Sequence, residues 1–150
     1  MSLGLGMGVK FTAKGTKYCT KDTKEAIMND EEIFKMVLDC SYRMHTRLGP
    51  GLLESAFEEC LAFELRKSGM CVEKQKSMPL VYEGKILEIG YRIDLMVENR
   101  IIVEIKSVEA LSVVHLAQIL TYLKLSKLHL GLLVNFNVSS LKKGIRRVII

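Results

Sequence analysis

The sequence predicts a mixed α/β domain of the α+β kind, with a mixed sheet flanked by helices in the order α, α, β, β, β, α, β. Three observations carry that expectation. Apolar residues recur at helical spacing, first Ile33, Val37, Cys40, Met44 and Leu48, then Leu53, Phe57, Leu61 and Leu65. From Cys71 to Ser107 the pattern changes to strands punctuated by turn signals. Leu128 to Asn135 is almost wholly apolar, as expected of a strand covered on both faces. A chain of 150 residues, 49% hydrophobic and 26% charged, can bury a core without disulfides or a structural metal, which excludes disordered and collagen-like classes.

Taken in order, residues 1–29 form an N-terminal extension and residues 30–150 a single domain. The extension holds Gly4, Gly6, Gly8 and Gly15 among Lys10, Lys14, Lys17, Lys21 and Lys24, with no sustained period. It reads as loose, as a short strand near Val9–Thr12, or as a basic arm for nucleic acid. Asp30 is the expected N-cap of the first helix, and Glu31 and Glu32 suit its positive end. That helix should stop at Gly49-Pro50, where Pro50 can start the second, and Gly69 should cap the second. Cys71 to Tyr82 reads as one or two strands, with Pro79 at an edge or bulge. Glu83-Gly84 is a turn, Ile86 to Val97 a strand, Glu98-Asn99-Arg100 a turn, and Ile101 to Ser107 a strand. A helix from about Leu111 to Leu125 and the apolar strand follow. Ile145 to Ile150 could add a further edge strand.

Composition narrows the function only slightly. A balance of 22 basic and 17 acidic residues, net +5, favours nucleic acid or another anionic partner. Cys19, Cys40, Cys60 and Cys71 are far apart and form no C-x-x-C pair, which argues against zinc and for a reducing, cytoplasmic setting. No apolar stretch approaches a membrane span, and the first residues do not read as a secretory signal.

Chemistry concentrates in the segment from Tyr91 to Lys106. Strand alternation puts Ile101, Val103 and Ile105 on one face and Ile102, Glu104 and Lys106 on the other. If Glu98-Asn99-Arg100 is the turn, Val97 pairs with Ile101 and Asp94 falls opposite Glu104; a two-residue turn would reverse Asp94. Two carboxylates at roughly 4 Å repel by about 4 kcal/mol at an effective dielectric of about 20. Such a pair calls for a cation, a proton or a basic neighbour. Lys106 offsets part of the repulsion, and a hard divalent ion offsets more. The plainer reading is a solvated sheet face with a Glu–Lys pair.

In the following helix His115, Gln118 and Tyr122 fall along one stripe, while Leu116, Leu120 and Leu123 are placed to pack on the sheet. Such a stripe could orient a ligand or simply be a polar exposed face. Glu54 and Glu58 lie one turn apart in the second helix, where surface acids are common.

Gly51-x-x-Glu54-x-x-Phe57, Tyr91-Arg-Ile-Asp94-Leu, Val103-Glu104-Ile-Lys106, His115-x-x-Gln118-x-x-x-Tyr122-Leu-Lys124 and Gly131-Leu-Leu-Val-Asn135-Phe together resemble the GxxExxY protein family of the PD-(D/E)XK nuclease superfamily. The resemblance covers roughly residues 31–150. It implies a restriction-endonuclease-like αβββαβ core and a site binding Mg²⁺, or Mn²⁺, through Glu54, Asp94 and Glu104. Lys106 matches the motif lysine that orients or activates water, and Gln118 and Tyr122 match a Gln-x-x-x-Tyr element supporting the metal and substrate. Phe57 replaces the tyrosine of the family name, and Ile93 stands where the superfamily name has proline; neither removes an implied ligand.

The function expected from this resemblance is metal-dependent hydrolysis of phosphodiester bonds in DNA or RNA. The alternative is a nuclease-fold module that binds nucleic acid or a protein partner without cleaving. Arg43, Arg47 and His115 are candidate nucleic-acid contacts, with Lys142, Lys143, Arg146 and Arg147 as further basic residues. A homodimer or a protein partner could supply specificity that a chain this short has little room to carry.

Overall fold

The computed structural model describes residues 27–150. Most of the expected N-terminal extension, including the segment near Val9–Thr12, lies outside the described residues. Helix α1 spans Asp30–Leu48 and α2 Glu54–Lys67. Strands β1 (Val72–Tyr82), β2 (Lys85–Val97) and β3 (Ile101–Lys106) follow. Then come α3 (Val113–Ser126), β4 (Leu130–Asn135), the single turn α4 (Leu141–Gly144) and β5 (Ile145–Ile149).

The cap of α1 is Asn29 rather than the expected Asp30. Asn29 Oδ1 accepts the Glu32 N–H at 3.0 Å, and Glu32 Oε2 accepts the Asn29 N–H at 2.8 Å, a reciprocal box that satisfies two donors at once. Helix α2 starts at Glu54, later than Pro50 suggested. Gly49 and Gly51 on either side of the proline have φ of 66° and 100°, so the chain turns there instead of winding into a helix. At the other end of α2, Ser68 is the C-cap and Gly69 (φ 85°) the residue beyond it. The Met70 N–H reaches Leu65 O at 3.0 Å and the Gly69 N–H reaches Arg66 O at 3.0 Å, a Schellman closure of the last turn.

Among the described residues, one five-stranded mixed sheet runs in the order β1-β2-β3-β4-β5. The first three strands form an antiparallel meander, α3 carries the chain across to β4 parallel to β3, and β5 pairs antiparallel with β4. The turn between β1 and β2 uses Glu83 and Gly84 at φ 47° and 74°. That is the left-handed pair a tight two-residue hairpin needs. Pro79 sits at a register shift in β1, the outer strand of the sheet among the described residues, a position suited to a residue with no N–H to donate.

The sheet separates two cores. On one face Leu95, Val97, Ile101, Val103, Ile105, Leu130, Leu132 and Val134 pack against α1 and α2. On the other, Ile93, Met96, Ile102 and Leu133 pack against Ile119, Tyr122 and Leu123 of α3. Every residue of β3 and β4 is buried, as the apolar composition of β4 led one to expect. Helix α3 departs from the expected orientation in detail. Tyr122 is part of the core rather than of a polar exposed stripe, and Leu116 is 40% exposed. Ile119 takes the central packing position because Gly131 of β4 lies directly beneath it; a Cβ there would stand 2.9 Å from Ile119 Cδ1.

Candidate active site

The β2–β3 register is Val97 opposite Ile101, Met96 opposite Ile102 and Leu95 opposite Val103, the register expected from a three-residue turn. The ladder stops there, one pair short of Asp94 and Glu104. Strand β2 is irregular at this point, since Ile93 faces the core under α3 while Leu95 faces the core under α1 and α2. Asp94 lies in that irregularity. Its Oδ2 accepts the Ile105 N–H at 2.8 Å, so the carboxylate supplies an acceptor for the strand backbone beyond the last ladder pair.

Alternation along β3 is as the sequence required. Ile101, Val103 and Ile105 enter one core and Ile102 the other, which leaves Glu104 and Lys106 on the face covered by α3. Glu104 is 1% exposed and Lys106 9%. Lys106 Nζ donates to Glu104 Oε1 at 3.3 Å. The second oxygen, Glu104 Oε2, is buried without a hydrogen-bond partner. Burial first, and the adjacent Asp94 charge second, push the Glu104 carboxyl up to about 8, against the opposing pull of Lys106. Asp94 is also raised, chiefly by burial, while the Ile105 N–H and Lys106 act the other way.

Around this pair stand three further groups. Glu54, at the first turn of α2, accepts the Ser107 N–H on Oε2 at 3.2 Å, and Ser107 Oγ donates to Leu52 O at 2.7 Å. The chain just past Lys106 is thereby stitched to the start of α2. From α3, Gln118 Nε2 donates to Tyr122 Oη at 3.0 Å. The phenol is raised above its usual range by burial, with smaller upward contributions from the Glu104 and Asp94 charges. From β4, Asn135 Oδ1 accepts the Val108 N–H at 3.1 Å and Asn135 Nδ2 donates to Val108 O at 2.8 Å, clamping the loop that leaves Lys106.

The expected residues therefore divide into two sets. Asp94, Glu104 and Lys106 come together, Gln118 and Tyr122 form their own pair alongside, and Glu54 is held on the backbone at the end of β3. His115 instead accepts the Ser112 N–H on Nδ1 at 3.1 Å, at the start of α3. Arg43 and Arg47 converge on Glu64 between α1 and α2, at 3.2 and 3.7 Å. Phe57 is fully buried and stacks on Phe136 with ring centroids 4.8 Å apart, so the position is filled by packing.

Two residues near the site were not singled out as site residues from the sequence. Glu58 is buried, and Gln75 Nε2 bridges it to Asp94. The one sequence signal for Glu58 was its position one turn from Glu54, beside the buried Phe57 and Leu61. Nothing marked Gln75.

Among the described residues, no three His, Cys, Asp or Glu side chains converge as a ready-made metal cluster. The acid pair nonetheless fits a hard divalent cation. It offers oxygen donors only, one of them buried and unpartnered, and two carboxylates whose mutual repulsion a cation relieves. Mg²⁺ is commonly held by one or two carboxylates, with waters completing its octahedron. No helix among the described residues is long and apolar enough to cross a membrane.

A family model of the PD-(D/E)XK nuclease superfamily matches residues 31–148. The chain belongs to that superfamily, and its mixed sheet flanked by helices is the restriction-endonuclease-like fold. No curated protein and no solved structure gives a significant match.

Proposed function

We propose that this chain is a nuclease of the GxxExxY type that hydrolyses phosphodiester bonds in DNA or RNA with Mg²⁺ or Mn²⁺. The observation that carries the reading is the Asp94–Glu104 pair, Glu104 buried and Asp94 half-buried, with Lys106 on one Glu104 oxygen and the other oxygen unpartnered. Asp94 and Glu104 would hold the ion, with Glu54 as the third acid of the set. The bound ion supplies Lewis-acid polarisation of the phosphate and a water of lowered pKa.

The remaining roles belong to the chain. Lys106 orients the attacking water and offsets negative charge at the phosphate, and its low exposure keeps that ammonium in a weakly screened position. Gln118 holds the Tyr122 hydroxyl at the α3 side of the pair, where the two support the site. Residues 30–150 act as one unit, since both cores share the one sheet. Arg43, Arg47 and His115 are proposed to contact backbone phosphate. An unchanged slope of log affinity against log salt in their alanine variants would remove them from that role.

The test is cleavage of plasmid, single-stranded DNA and RNA by purified chain with Mg²⁺ or Mn²⁺. Lys106→Ala and Asp94→Asn should each lower the rate by on the order of 10²-fold or more. Cleavage that persists in both variants would place the activity elsewhere. Salt-sensitive binding without cleavage of any substrate would instead identify a nuclease-fold module that binds nucleic acid.

A further inference from the structure

Gln75 lies on β1 beside Asp94, at a gap in the β1–β2 ladder. Lys74 is in register with Leu95 and Lys76 with Ile93, but the pair between them is missing. There the Gln75 backbone is left-handed, with φ 49°, a region that side chains with a Cβ seldom occupy within a strand. From that position the side-chain amide donates to Glu58 Oε2 at 2.6 Å and reaches Asp94 Oδ1 at 3.4 Å. Asp94 Oδ2 is taken by the Ile105 N–H at 2.8 Å. Each Asp94 oxygen thus has a donor of its own, one from the backbone of β3 and one from the side chain of β1.

Glu58 explains why the amide stays there. Glu58 is 9% exposed and its carboxylate has the shorter of the two contacts, so it anchors Gln75 from α2. The amide also sits between two carboxylates that repel each other. Strained backbone maintained at such a point is the kind of feature that surrounding contacts must hold in place.

We infer that Gln75 is a positioning residue for Asp94, and that Glu58 is the anchor that holds it. Gln75 and Glu58 act on the orientation of the Asp94 carboxylate rather than on a reacting group. The inference rests on the reading of Asp94 as a metal ligand, and it extends that reading to two residues outside the acid pair and its lysine.

Gln75→Gly separates this role from a structural one, because glycine relieves the positive φ while removing the amide. The expected result is unchanged or higher stability in urea, together with a loss of Mn²⁺ affinity by calorimetry of about 10- to 100-fold. The Ile105 amide resonance should move, since its acceptor is no longer fixed. Glu58→Gln keeps an acceptor oxygen for Gln75 and should stay close to wild type in Mn²⁺ affinity, while Glu58→Ala should fall toward Gln75→Gly. A Gln75→Gly chain with wild-type Mn²⁺ affinity, or one that loses affinity only along with its stability, overturns the inference. Should the wild-type chain take up no Mn²⁺, the metal reading of Asp94 fails by itself. The Ile105 resonance then decides alone, a shift in Gln75→Gly supporting the positioning role and no shift overturning it.

Discussion

Replacing Glu104 by glutamine tests whether the acid pair stores the repulsion that the geometry implies. In the folded chain the Glu104 carboxyl keeps its proton up to about pH 8, whereas its ordinary value is 4.5. The folded state therefore binds more protons than the unfolded state between those two values. Stability is greatest at the acid end, falls as pH rises through that window, and levels off above about 8. At about 1.4 kcal/mol per pH unit, the whole excursion is on the order of 5 kcal/mol, comparable with the total stability of a small domain. Asp94 and Glu58 are raised as well, so they tilt the curve in the same direction at its acid end. Glutamine has no carboxyl to ionise. Urea unfolding at intervals from pH 5 to pH 9 without divalent metal should show wild type losing stability toward pH 8. Glu104→Gln should be nearly flat above pH 6 and the more stable of the two at pH 9. Mg²⁺ or Mn²⁺ should restore the wild-type loss at pH 8 in proportion to the logarithm of its concentration and do nothing for the variant. A wild-type curve that is flat between pH 5.5 and 8, or a glutamine variant with the wild-type slope, would refute the reasoning.

Three other outcomes follow from contacts elsewhere. Gly144→Ala would place a Cβ 2.1 Å from the backbone oxygen of Asn135, so it should destabilise the chain by about 3 kcal/mol or more, read as a lowered urea midpoint. Asn135→Ala removes the acceptor of the Val108 N–H and the shorter of the two hydrogen bonds to Val108 O, and a cost of about 1–3 kcal/mol is expected, with faster amide exchange in the loop after Lys106. Arg43→Ala breaks a part-exposed pair with Glu64 and should cost under about 1 kcal/mol, leaving Mn²⁺ affinity unchanged by calorimetry.

Much of the fold was legible because it depends on local periods. The span of α1, the alternation of β3 and the buried character of β4 come from side-chain spacing that any tertiary arrangement must respect. The β2–β3 register follows from the sequence only on the condition that Glu98, Asn99 and Arg100 form the turn, and the structure selects that turn over a two-residue one. Pro50 suits a helix start and so points to a start of α2 earlier than Glu54, and only the positive φ of Gly49 and Gly51 shows that the chain turns instead. Spacing puts Tyr122 on one stripe with His115 and Gln118, whereas its ring has enough apolar area to enter the core. Charge alone marks Arg43 and Arg47 as candidate phosphate contacts, and only the folded chain shows Glu64 beside both of them.

The sequence by itself determined which residues share a face of β3, and hence that Glu104 and Lys106 point the same way. Their relation is set by a period of two along one strand, which needs no knowledge of distant parts of the chain. Only the tertiary structure decided what surrounds them. That Asp94 turns to cap the Ile105 N–H, that Glu58 is buried while Glu54 is exposed, and that Gln75 bridges Glu58 to Asp94 all depend on four elements, α2, β1, β2 and β3, meeting at one place. Side-chain direction at an irregular strand position, and the depth of a helix against a sheet, are settled by packing between segments far apart in sequence.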